Sequence, residues 1–142
     1  MKLKHLFFLS ILFVLGACSK DSEPSKTDLL AKNWQIDEIQ ASILGFKGTI
    51  YKKGAATNTQ DFSKVRFNFR KDGTMDLIST DGSKATTLWK FANNETQVEI
   101  ITPGAPNQVL KIINLTSNNF DSDTQLNNNG QVIDATFKMI PE

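Results

Sequence analysis

Lys64-Val65-Arg66-Phe67-Asn68-Phe69-Arg70, then Lys71-Asp72-Gly73, then Thr74-Met75-Asp76-Leu77-Ile78-Ser79 is the stretch that decides the fold. Val65, Phe67 and Phe69 alternate with basic or polar residues, a period of two that sets an apolar face against a wet one. A strand of that kind belongs to an antiparallel sheet. A two-residue Asp-Gly loop would put Phe69 opposite Asp76 and mix the faces. A three-residue loop with Gly73 left-handed pairs Phe69 with Met75 and Phe67 with Leu77, and is the loop expected.

The same device recurs at Thr80-Asp81-Gly82, which keeps Leu77 on one face with Ala85, Thr87, Trp89 and Phe91. Asn93-Asn94 then predicts a two-residue turn with Trp89 beside Val98 and Thr87 beside Ile100. Closure of Pro103-Gly104-Ala105-Pro106-Asn107 pairs Ile100 with Leu110 inside and Glu99 with Lys111 outside. In the last hairpin a four-residue loop would set Asp123 against Asp134. A turn on Asn129-Gly130 alone puts Asp121 opposite Lys138, Asp123 opposite Thr136 and Leu126 opposite Ile133.

About nine such runs stretch from Trp34 to Met139, and a closed meander needs an even number. The first run loses its alternation at Glu38-Ile39, so either it bends into two strands and makes ten, or an edge run drops out and leaves eight. Because every connection is local, the expectation is an all-β, up-and-down antiparallel barrel of about 8–10 strands rather than a two-sheet sandwich. A short helical turn precedes it at Thr27-Asp28-Leu29-Leu30-Ala31-Lys32, capped by Ser25 or Thr27.

Upstream, Lys2, Lys4 and His5 precede the apolar run Leu6 to Leu15 and the small residues Gly16 and Ala17, the three parts of an export signal. The run is shorter than the roughly 18 to 20 residues that span a bilayer. Leu15-Gly16-Ala17-Cys18 resembles the lipobox of bacterial lipoproteins. That resemblance implies a diacylglycerol group on the Cys18 sulfur, cleavage after Ala17, and a fatty acyl chain such as palmitate on the new amino terminus. The plainer alternative is a secretory peptide that leaves Cys18 a free thiol. The expected division is a signal peptide over 1–17, a flexible tether over 18–26 and a barrel over 27–142.

Removing the leader leaves 14 basic against 15 acidic residues, so no basic field remains to attract nucleic acid. It also removes His5, the only histidine, while Cys18 is the only cysteine. Zinc sites built on Cys or His, Ser-His-Asp triads and thiol catalysis are thereby excluded. A non-enzymatic protein without cofactor or metal is expected. Asp121, Asp123 and Asp134 lack the spacing of an EF-hand loop and read as a solvated face with Lys138 as partner.

Leu29-Leu30-Ala31-Lys32-Asn33-Trp34, Phe67-Asn68-Phe69-Arg70-Lys71-Asp72-Gly73-Thr74 and Trp89 before a hairpin resemble the lipocalin-like lipoproteins of Bacteroidota. In lipocalins a Gly-x-Trp motif opens the first strand and a late basic residue packs over the Trp. Here Trp34 fits, Lys32 stands in the glycine's place, and Lys138 falls on the wet face. The resemblance implies a lipid-anchored protein of the outer membrane, on its periplasmic or surface side, that holds a small apolar ligand. Trp34, Phe67, Phe69 and Trp89 would line the pocket, with Phe46 and Tyr51 at its mouth. Two alternatives stand beside this: a filled core made of the same rings, and an accessory subunit that meets an envelope protein through its loops.

Overall fold

The computed structural model describes residues 23–43, 45–128 and 130–142; the leader, Cys18, Leu44 and Asn129 lie outside them. The described residues form α1 (Lys26–Leu30), β1 (Asn33–Ile43), β2 (Phe46–Lys52), β3 (Arg66–Phe69), β4 (Thr74–Ile78), β5 (Lys84–Ala92), β6 (Gln97–Ile101), β7 (Gln108–Leu115), β8 (Phe120–Asn128) and β9 (Gln131–Pro141). Neighbours in sequence pair antiparallel from β3 through β9, and β1 closes the ring by taking β9 on one edge and β3 on the other. The closed barrel therefore has eight strands. β2 is the run left over, and it pairs with the far half of β1 beyond the reach of the short β3.

Alternation in β1 fails one residue before the expected point. Asp37 has no partner on β9, between the pairs Ile36 to Met139 and Glu38 to Lys138, so β1 is one bulged strand and not two. The extra residue restores the parity of the inner face, and Ile36 and Ile39 are both buried there. A second irregularity, at Ile50, lets Tyr51 sit opposite Ile39 while Thr49 sits opposite Gln40.

The glycine turns hold their expected registers. Phe69 faces Met75, Phe67 faces Leu77, Asp121 faces Lys138 and Leu126 faces Ile133. Gly73 has φ of 81° and passes its carbonyl to the Trp89 amide at 2.8 Å, so this turn is stitched to β5 as well. Two other turns are longer than expected. Trp89 pairs with Ile100 instead of Val98, because Asn93, Asn94 and Glu95 all take φ between 51° and 59° and make a four-residue loop. Lys26 of α1 donates to the Glu95 carbonyl at 2.8 Å and holds the loop against the helix.

Likewise Leu110 faces Val98 instead of Ile100, and Glu99 does not meet Lys111. Its partner is Lys90 on the other neighbouring strand, at 2.9 Å, with Asn107 at 2.8 Å. Both shifts are by two residues, so no side chain changes face.

One end of the barrel is sealed. Ser25 caps α1 in a capping box with Asp28, and the helix presses Leu30 into the opening. Trp34 donates its indole N–H to the Leu30 carbonyl at 2.9 Å. Lys32 lies 5.3 Å over the Trp34 ring and donates to the Ser117 carbonyl. The cation over this Trp thus comes from two residues before it, while Lys138 reaches Glu38 at 3.3 Å.

On the outer face Asp76 joins β3, β4 and β5. Arg70 grips it with both guanidinium arms, Lys84 lies at 2.8 Å and Thr86 donates at 2.7 Å. The Arg70 hydrogen bonds, then those of Lys84 and Thr86, hold its carboxyl well below the ordinary carboxylate range. A carboxyl depressed in the folded state contributes stability above its unfolded pKa, near about 3.9, and loses it as pH falls towards the folded value. Urea unfolding midpoints should be level above about pH 5 and fall below about pH 4. Asp76→Asn should lower the midpoint at neutral pH and show a smaller acid fall than the parent chain.

Candidate functional site

The registers divide the inward-facing side chains into two halves. Near α1 the inner positions are Trp34, Phe69, Met75, Trp89, Val98, Leu110, Phe120 and Met139, all buried in one cluster with Leu30. The rings meet edge to face or tilted: Phe69 on Trp89 at 5.6 Å, Phe69 on Phe120 at 6.2 Å and Trp34 on Phe120 at 5.7 Å. Such contacts add about 0.5–1.5 kcal/mol each to the area they bury. This half is a solid floor.

The other half of the interior holds a second cluster. Phe67, Leu77 and Phe137 pack against the floor on one side and against the Ile36, Ile39, Tyr51 and Val65 cluster on the other, yet each stays partly exposed. Ile112, Leu126 and Ile133 are also partly exposed, and Ala85, opposite Leu77, is open. These inward positions keep some accessible surface, as do Phe91 and Leu115 in the half near α1.

Small residues line this end, Ala41 and Ala135 buried and Gly48 exposed. Ala41 faces Ala135 on β9 and Gly48 on β2, so three neighbouring strands bring almost no side-chain volume to the mouth. A Cβ built on Gly48 would meet nothing within 4 Å.

The six aromatic residues expected to share a pocket are distributed along this lumen. Trp34, Phe69 and Trp89 lie in the floor, and Phe67 stands between floor and mouth. Tyr51 is buried in the side wall against Phe62, with ring centres 5.4 Å apart, and burial together with the nearby Asp61 pushes its hydroxyl pKa up. Phe46, on the lumen register at the tip of the β1–β2 hairpin, is 82% exposed. Cys18 lies outside the described residues.

Ile39, Ala41 and Ala135 belong to the lumen wall but carry no signal in a period-two reading. The first is hidden by the Asp37 bulge, and the alanines act by being small.

A groove of about 610 Å³ lies among β1, β2, β7, β8 and β9, with Lys47, Asp123, Asp134 and Thr136 in its lining beside the inner residues Thr124 and Ala135. Its groups partner one another: Lys47 donates to Thr136 at 3.1 Å, Thr136 to Asp123 at 2.7 Å and Gln125 to Asp134 at 3.1 Å. Among the described residues no group of three or more His, Cys, Asp or Glu is placed to hold a metal ion.

No family model and no curated protein matches the chain. Solved structures do. Bovine odorant binding protein in complex with a selenium-containing odorant aligns with a TM-score of 0.50 at 14% identity, over 89% of this chain and 78% of that one. A deswapped triple mutant of bovine odorant binding protein aligns at 0.46 and 14%, over 83% and 75%. A lipocalin-like protein from Bacteroides uniformis aligns at 0.49 and 18%, over 80% and 98%. At these identities the likeness concerns the backbone alone, and with the eight-strand ring it makes the fold a lipocalin-like β-barrel.

Proposed function

We propose that this chain is a lipid-anchored binding protein of the cell envelope that takes a small apolar molecule into the open half of its barrel. One observation carries the reading: inward-facing Phe67, Leu77, Ile112 and Phe137 are only partly buried where they pack against the aromatic cluster. An apolar surface left open inside a barrel, with Ala41, Gly48 and Ala135 making room beside it, is favourable ground for an apolar guest. The structural neighbour crystallised with an odorant is consistent with this use of the fold.

The anchor rests on Leu15-Gly16-Ala17-Cys18. Each buried methylene of an acyl chain contributes about 0.8 kcal/mol, so two or three chains on Cys18 would hold the protein to a leaflet. The described chain enters at Ser25, on the α1 side of the barrel. A tether joined there attaches on the α1 side of the barrel. The outer membrane of a Bacteroidota cell fits the resemblance of the leader and the domain.

Two measurements test these readings. Fluorescence of N-phenylnaphthylamine, an apolar probe, should rise on binding the processed protein. Gly48→Phe should weaken that binding about tenfold or more, roughly 1.4 kcal/mol, with little change in melting temperature. Unaltered binding in this variant would place the guest elsewhere. For the anchor, labelled palmitate should enter the parent chain in cells, and Cys18→Ser should abolish the label and release the protein from the envelope fraction.

A further inference from the structure

We infer that the guest is a neutral amphiphile whose polar group, a hydroxyl or carbonyl, is held just above the aromatic floor by Thr87 and Ser122. This rests on the lumen reading and names the class of molecule that the lumen selects.

Ser122 occupies the inner position of β8 next after the floor residue Phe120, opposite Ile112 and Phe137. Thr87 occupies the inner position of β5 next to the floor residue Trp89, opposite Met75. Both hydroxyls therefore stand one step above the rings. Ser122 is 0% exposed and Thr87 8%, and neither side-chain oxygen has a hydrogen-bond partner. The third inner hydroxyl, Thr124, is satisfied, donating to the Val109 carbonyl at 2.8 Å.

A buried hydroxyl without a partner is costly, and alanine or valine would occupy the same volume without that cost. Two of them, both enclosed in the barrel interior one inner position from the aromatic rings, mark where a partner is wanted.

The residues that flank Ser122 across the ladders, Ile112 and Phe137, are themselves partly exposed. A chain entering from the mouth displaces these first and brings its head onto the serine oxygen. The hydroxyls can both donate and accept. The inner positions of the described strands carry no charged residue, so a carboxylate head would be buried without a counter-ion, which is strongly unfavourable. A neutral head meets both conditions.

Displacement of N-phenylnaphthylamine by 1-decanol and by n-decane tests this on the processed protein. The quantity read is the ratio of decanol to decane affinity, which cancels general loss of lumen quality. It should be about tenfold higher in the parent chain than in the Thr87→Val, Ser122→Ala double variant. Ser122→Ala alone should melt at or above the parent temperature without ligand, which guards against a folding defect. Equal ratios in parent and double variant, with both compounds still displacing the probe, would overturn the amphiphile inference and leave the lumen reading standing. Failure of both compounds to displace a bound probe from the parent would overturn both.

Discussion

Ring closure depends on β1. It is the one strand that meets three others, with β9 along nearly its whole length and β3 and β2 dividing its opposite edge. An antiparallel meander left open would expose two edges of unpaired backbone N–H and C=O groups, and joining β1 to β9 pairs them within the ring. The joint works because Asp37 is expelled from the ladder. Without that bulge Ile36 and Ile39 would fall on opposite faces, and one of the two would lose its burial.

The barrel divides its labour along its axis. Large rings and α1 fill the end where the chain enters, and this end supplies the packing that stabilises the domain. Small residues line the other end, where stability is given up for room. Interior packing in proteins is dense, and a buried void typically costs tens of calories per mole for each cubic ångström.

Most of the wall was legible in the sequence, and the reasons differ by element. Gly73 and Gly130 mark positions that demand left-handed backbone, so their hairpins could be registered to the residue. Glu95 takes the same conformation with no such mark, held by a contact from Lys26 that lies 69 positions away, and the turn there came out two residues longer. Faces survived because strand parity is two. The site was less legible. Ala41, Gly48, Ala85 and Ala135 bring little side-chain volume, and alternation of large apolar residues reports only what is present. Of the six rings expected to share a pocket, three are floor, and only the three-dimensional register distinguishes floor from mouth.

Because β2 lies outside the closed ring, its far edge offers unpaired backbone to any passing strand. The irregularity at Ile50 breaks the straight run of donors and acceptors, and Lys47 and Lys52 place a cation near each end of it. A neighbouring copy attempting to add its own strand would meet a kinked template. The hairpin can thus remain unzipped at its rim without becoming a seed for aggregation.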